Sequence, residues 1–236
     1  MAPADLPTLK ERVHAAQEEL DMAVLFHEAW KPAAYDLDLH RRLGPSYATH
    51  AFHVVRLALR REMLMALMRI WDYTDASVRI GSVIDGIRNT HIIDALVAER
   101  LSGLSKQSNM TMLGFEVQMR DAVQSGASKA INHFEQYSPG GSRRAVLEDL
   151  RRLRHERLAH RQVTPSKANG PEASDEQIEA FYQDTTALIG LLLSVLLGVA
   201  HDFAETGNVY RRPSALFWAS VRGERTEGHP DYRPLA

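Results

Sequence analysis

Apolar residues recur at helical spacing along most of the chain, and no run of strand length alternates between apolar and polar residues. The predicted helical ranges are 8–31, 46–71, 78–89, 91–101, 110–137, 142–162 and 174–205. Segments rich in Pro, Gly and polar residues separate them. The pattern predicts an all-α bundle of long antiparallel helices, formed by a single domain over residues 1–221 and followed by a polar, loosely held C-terminal tail at 222–236.

Local signals predict where several of these helices begin and end. Thr8 and Glu11 have the spacing of a capping box at the start of the first helix, and Ser174 and Gln177 have the same spacing at the start of the last. Pro32 is expected to end the first helix, because proline cannot donate the backbone hydrogen bond that a helix interior needs.

The segment Ala187–Ala200 is almost free of polar side chains. It falls short of the roughly 20 residues that span a bilayer, so we expect a buried core helix and no membrane association. The N-terminus has no apolar stretch of the signal-peptide type, and the chain has no cysteine, which suits a reducing compartment. A cytoplasmic protein is therefore expected.

The charge of the chain is nearly balanced, with a net value of -2, so there is no global basic field to attract nucleic acid. The range 142–162 is an exception, with seven arginines and a local net charge of +4. Any contact with a polyanion is therefore predicted to use this segment.

The helix predicted over 142–162 carries its basic residues in an unusual place. Its apolar residues share one arc, roughly 140° wide; they are Val146, Leu147, Leu150, Leu153 and Leu158. Towards the C-terminal end the same arc continues into Arg154, Arg157 and Arg161, with His160 just outside it. Because an unpaired charge on a buried face is costly, these groups should have carboxylate, subunit or anionic partners.

The segment Arg154-His155-Glu156-Arg157-Leu158-Ala159-His160 resembles a motif of the HEPN superfamily (higher eukaryotes and prokaryotes nucleotide-binding), in its abortive-infection (Abi) U-type branch. That branch has a similar R-N-x-R-I-A-H motif near the end of a long helix. An earlier helix of the branch ends in an R-L-x-D pattern, which Arg69-Ile70-Trp71-Asp72 resembles. The chain differs from the family at His155, where Asn is usual, and at Gln162, where an acidic residue often follows.

The resemblance implies a HEPN-like helical bundle and a homodimeric, metal-independent endoribonuclease that needs no cofactor. Such a nuclease requires an acid or base for the ribose 2′-oxygen and the leaving 5′-oxygen, and positive charge on the phosphorane. His160 is the candidate acid or base, and Arg154 is the candidate phosphorane ligand. The two lie about 120° apart on one straight helix, so two copies of the chain would have to form the cleft together. The family also implies a toxin–antitoxin or antiphage defence role, with a possible antitoxin protein as partner.

Several of these residues also have a purely structural interpretation. Arg154 could pair with Asp72 or Asp149, and His160 could cap the helix through its dipole. Arg69 and Asp72 form either an internal ion pair or a support for the motif.

The remaining charged residues of the motif are assigned to RNA or to solvent. Arg157 and Arg161 are expected to face RNA or a partner, and His155 is expected to be solvated, with an auxiliary role possible. His50 and His53 have a metal-ligand spacing but no convincing third ligand, so no metal site is predicted.

The main alternative to a nuclease is a non-catalytic HEPN module that binds a protein partner, a nucleotide or RNA through the same basic cleft. The retention of both Arg154 and His160 favours the enzyme. The replacement of the usual Asn by His155 favours the binding module.

Overall fold

A computed structural model describes residues 5–73, 78–107, 114–155 and 173–234. Within these ranges the chain is helical and contains no β-strand, which confirms the all-α class. The helices are α1 (Leu6–Tyr35), α2 (Leu37–Leu43), α3 (Ala48–Ile70), α4 (Ile80–Ile87), α5 (Thr90–Gln107), α6 (Phe115–Glu135), α7 (Arg144–Leu153), α8 (Asp175–Leu192) and α9 (Phe203–Ser220).

Both predicted ends of α1 are wrong. The helix begins at Leu6 rather than after a Thr8 cap, and the Thr8 backbone N–H donates to Asp5 Oδ1 at 3.0 Å. It also continues through Pro32 to Tyr35. Because the helix continues, Ala33 is completely buried. The free energy gained by this packing outweighs the loss of the backbone hydrogen bond that proline cannot donate.

The described residues divide into two compact units. The first consists of Met1–Leu20 and Leu67–His201. Within it α6 packs against α4, α5 and α8, and α7 packs against α8. This unit contains the segments that resemble the HEPN motifs.

The second unit consists of Asp21–Ala66 and Asp202–Ala236. Its buried cluster is formed by Ala33, Leu39, Leu43, Phe52 and Trp218. Helices α2 and α9 belong to it, and neither was predicted from the sequence.

Hydrogen bonds hold the start of the C-terminal segment within the second unit. The Gly223 N–H and the Thr226 hydroxyl both donate to the Arg42 carbonyl, at 2.9 and 2.6 Å. The prediction of a loosely held tail is therefore wrong for residues 223–226.

The capping box at the start of α8 is confirmed, with Ser174 and Gln177 bonding reciprocally. The predicted continuation to residue 205 is wrong, because a π-helical turn, Leu193–Leu197, ends the helix at Gly198. Gly198 has a φ of +68°, which favours glycine. Arg100 satisfies the carbonyls of Ser194 and Val195 near this end, at 2.7 and 2.6 Å.

The helical segment Asp175–Leu197 has 23 residues and a mean hydropathy of 1.5 over its most apolar window. Among the described residues it is the one helix that could cross a membrane by length and composition. Half of that window is buried inside the protein, as in a core helix. Leu188, Ile189 and Leu192 are almost completely buried.

Helix α7 is the described α-helical part of the helix predicted over 142–162. It spans Arg144–Leu153, and the backbone forms a π-helical turn at Arg154 and His155. Leu147 and Leu150 lie buried on its inner face, as the apolar arc predicts. The predicted continuation over residues 156–162 lies outside the described residues.

Candidate active site

The two segments that resemble HEPN motifs meet at the end of α7. Asp72 lies just beyond α3, and Arg154 follows the last residue of α7. Arg154 Nη1 donates to Asp72 Oδ2 at 2.9 Å across 82 positions of sequence. The two side chains are 28% and 19% exposed, so the pair is partly buried yet reachable from solvent. A guanidinium has five N–H donors, and it can therefore hold Asp72 and bind an anion at the same time.

Arg69 has a different partner. Its Nε donates to Glu19 Oε2 at 2.8 Å, a contact between α3 and α1 within the first unit. The sequence left open whether Arg69 and Asp72 form an ion pair or support the motif. In the structure Asp72 contacts the motif arginine directly, and Arg69 ties the end of α3 to α1.

The described arginines of the basic segment all contact carboxylates. The pairs are Arg143 with Asp184, Arg144 and Arg151 with Glu148, Arg152 with Asp149, and Arg154 with Asp72. Of the two carboxylates that the sequence offers to Arg154, Asp72 is therefore the one it contacts. The fold neutralises part of the local positive charge.

The remaining motif residues divide between the described and undescribed parts of the chain. His155 is exposed in the π-helical turn, directly after Arg154, in agreement with its predicted solvation. Arg157, His160 and Arg161 lie outside the described residues. Of the two residues to which the sequence assigns the chemistry, Arg154 is therefore the one whose surroundings the structure describes.

Trp71 fixes the end of α3, and with it the position of the neighbouring Asp72. The indole is buried and stacks parallel to Phe134, with ring centroids 5.4 Å apart. Its Nε1–H donates to the buried Thr185 hydroxyl at 3.0 Å. Arg151 Nη2 also donates to the Trp71 carbonyl at 3.0 Å, which joins α7 to the same backbone.

A second polar cluster lies at the turn before α7. The Tyr137 hydroxyl donates to Asp184 Oδ2 at 2.6 Å, and Arg143 pairs with the same oxygen. Burial raises the pKa of Tyr137 to about 12, although the nearby Arg143 acts in the opposite direction. Tyr137 is therefore a neutral hydrogen-bond donor near physiological pH.

A pocket of about 210 Å³ lies beside the Arg154–Asp72 pair. Four aromatic residues form much of its lining; they are Trp71, Tyr73, Phe134 and Tyr137. Asp72 and Arg144 supply a carboxylate and a guanidinium to the same lining.

In the described ranges no group of three His, Asp or Glu side chains is arranged to hold a metal ion. The polar groups of the candidate site are instead arginines and single carboxylates, which suit the binding of anions.

The fold is all-α, and Asp72 of the earlier motif holds Arg154 of the later one. Both features fit the HEPN class that the two sequence motifs suggest. The family model HEPN_AbiU2, described as AbiU2, matches residues 6–215. The chain therefore belongs to the HEPN-like AbiU2 family. This family points to a HEPN-type nuclease or an abortive-infection module. No match was found among curated proteins or among solved structures.

Sequence reasoning missed three residues of this region. Tyr73, Tyr137 and Arg144 line the pocket but belong to none of the motifs. Tyr73 directly follows Asp72, and the other two flank the turn at Ser138–Gly141, which was recognisable from its Pro and Gly. Their proximity to Asp72 depends on how α3, α6 and α7 pack.

Proposed function

We propose that the protein is a metal-independent endoribonuclease. The ribose 2′-oxygen attacks the adjacent phosphorus, and the bond to the leaving 5′-oxygen breaks. His160 acts as acid or base in these proton transfers, and Arg154 stabilises the charge of the phosphorane. His155, Arg157 and Arg161 contact the RNA, and Arg69 and Asp72 support the site.

The observation that carries this proposal is the hydrogen bond between Arg154 and Asp72. It restricts the rotation of a long side chain next to a solvent-accessible surface, so less conformational entropy is lost when a phosphate binds. A monodentate carboxylate contact also leaves part of the planar guanidinium edge for a non-bridging phosphate oxygen. Asp72 is in this view a positioning residue.

The same proposal includes a homodimer in the cytoplasm. A composite cleft at a two-fold axis would supply Arg154 and His160 from helices of both copies. The biological context proposed from the family is a toxin–antitoxin or antiphage system, with an antitoxin protein as a possible partner.

The test is RNA cleavage in EDTA by the wild type and by His160→Ala and Arg154→Ala, with the oligomeric state measured in parallel. Arg88→Ala is the matched control, because Arg88 is a half-exposed arginine that pairs with Glu135 at 2.8 Å. Loss of an acid or base is expected to lower the cleavage rate by about 10²- to 10⁴-fold. The control is expected to cleave at the wild-type rate.

Cleavage that survives chelation and disappears in both motif variants, while all proteins stay folded dimers, would support the nuclease. Undiminished cleavage by both variants would mean that the motif is structural. Absence of cleavage by the wild type on diverse RNAs would favour a binding module.

A non-catalytic binding module is the second candidate, and one observation favours it. His155 stands where the family motif usually has Asn, and the structure leaves its side chain exposed. In such a module the basic segment would bind RNA, a nucleotide or a protein partner without cleaving it. Binding of RNA by the wild type without strand scission would distinguish it from the enzyme.

A further inference from the structure

We infer that the aromatic pocket beside the Arg154–Asp72 pair binds one nucleobase of the RNA. This inference rests on the proposed RNA-directed function and adds to it a binding site for one base of the RNA. The pocket lies at the junction of α3, α4, α6 and α7, where Trp71 and Asp72 of the earlier motif meet residues that belong to neither motif.

The walls of the pocket suit a flat aromatic ring. Trp71 and Phe134 stack on one another with ring centroids 5.4 Å apart, and the side chains that leave accessible surface for a base are the partly exposed Phe134 and the exposed Tyr73. Tyr137 and Ile80 are almost fully buried and add apolar surface. Nucleobases stack on such side chains whatever their sequence, because every base has a π-face.

Tyr73 stands at the exposed side of this pocket, with 60% of its surface accessible. The Arg151 guanidinium covers one face of its ring, 4.0 Å from the centroid. Arg144 Nη1 contacts its hydroxyl at 3.2 Å. Arg151 is not part of the pocket lining, so these contacts orient the ring while leaving surface that borders the pocket.

The size of the pocket favours a single ring system. Its volume of about 210 Å³ lies below the roughly 300–1,000 Å³ of sites for drug-sized ligands. A base can enter it while the attached ribose and phosphate stay outside. Asp72 belongs both to the pocket lining and to the ion pair with Arg154, so a phosphate next to the bound base lies within reach of the motif arginine.

The test measures binding of nucleoside 5′-monophosphates to the full chain, with ribose 5-phosphate as the probe that lacks a base. We expect the wild type to bind at least one of the four monophosphates about tenfold or more tightly than ribose 5-phosphate, as base stacking predicts. Equal affinities for all five probes would overturn the inference.

Gly81 offers a way to fill the pocket. It lies in α4 on the pocket lining, and a Cβ added there meets Phe134 Cζ at 3.5 Å, an ordinary contact. Gly81→Leu should abolish the preference for monophosphates, whereas Gly81→Ala, the matched control, should keep most of it. An unchanged preference in a folded Gly81→Leu variant would contradict the assignment.

Substitutions of the exposed Tyr73 give an independent test that does not disturb the core. Tyr73→Leu should lower the affinity for monophosphates about fivefold or more without changing that for ribose 5-phosphate, and Tyr73→Phe should restore it. Equal loss for both probes in Tyr73→Leu would argue against a base contact.

The outcomes separate this inference from the nuclease proposal. Base-dependent binding without RNA cleavage would support the pocket and reject the nuclease. Cleavage in EDTA together with base-independent binding would support the nuclease and reject the pocket.

Discussion

Each of the two units contains a long-range contact between an arginine and a carboxylate, and the two contacts differ in kind. In the second unit Arg211 donates through Nε and Nη2 to both oxygens of Glu28, at 2.8 and 3.3 Å. Glu28 is only 6% exposed. In the first unit Arg154 Nη1 contacts Asp72, which is 19% exposed and lines a pocket.

The comparison shows how one type of interaction can serve stability in one place and function in another. Two hydrogen bonds to a buried carboxylate satisfy a charge that would otherwise destabilise the fold. At Asp72 the carboxylate is nearer to solvent, and its partner lies beside a pocket with aromatic walls. We therefore interpret Arg211–Glu28 as structural and Arg154–Asp72 as part of a site.

The strongest test of this contrast removes each arginine in turn. Arg154→Ala should lower the rate of RNA cleavage by about 10²- to 10³-fold, as for loss of a group that stabilises developing charge. Arg211→Ala should lower the free energy of unfolding by about 2 kcal/mol, because Glu28 loses its charged hydrogen-bond donor. Urea unfolding and cleavage assays on both variants measure the two effects.

The contrast fails if Arg211→Ala abolishes cleavage while the protein remains folded and of wild-type oligomeric state. It also fails if Arg154→Ala loses stability but keeps the wild-type rate.

A smaller effect is expected at Asp72. Asp72→Asn keeps the side-chain shape but removes the charge that holds Arg154, so the cleavage rate should fall by about tenfold as the guanidinium loses its orientation. Stability should change by about 1 kcal/mol or less, since the pair is partly exposed. Asp149→Asn is the matched control, because Asp149 pairs with Arg152 on the same helix at 2.9 Å.

Asp72→Asn and Asp149→Asn should therefore differ in activity and resemble one another in stability. Equal cleavage rates for the two variants would remove Asp72 from the site.

A third contact, in which Tyr137 and Arg143 share Asp184, can be compared with these two pairs. Its contribution to stability is expected to depend on pH. Burial raises the pKa of Tyr137 from 10.0 to about 12, so the folded state holds this proton more tightly than the unfolded state. The resulting stabilisation is complete below pH 10 and is lost as the pH rises towards 12. Tyr137→Phe should show a shallower decline in the free energy of unfolding over this window.

Urea unfolding of the wild type and Tyr137→Phe between pH 8 and about 12 measures this difference. Because the other titrating groups are the same in both proteins, their contributions cancel when one free energy of unfolding is subtracted from the other. Parallel curves for the two proteins would contradict the role of Tyr137.

Much of the fold could be predicted from local sequence signals. The all-α class follows from periodicity, the start of α8 from Ser174 and Gln177, and the buried face of α7 from Leu147 and Leu150. Each of these depends on residues within a few positions of one another, where spacing alone defines the face or cap.

The errors occurred where a distant part of the chain decides the outcome. Helix α1 passes through Pro32 because Ala33 and Trp30 are buried by packing. The end of α8 is stabilised by Arg100, about 95 positions earlier in the chain. The proximity of Tyr73 and Gly81 to Phe134 is likewise a product of packing.

The sequence by itself determined the helical class, the family motifs and the candidate roles of Arg154 and His160. It offered Asp72 and Asp149 equally as partners of Arg154. Tertiary structure decided for Asp72, and it also formed the pocket beside that pair. The physical reason is that side-chain periodicity is a local property, whereas an ion pair across 82 positions requires α3 and α7 to be held together by their packing.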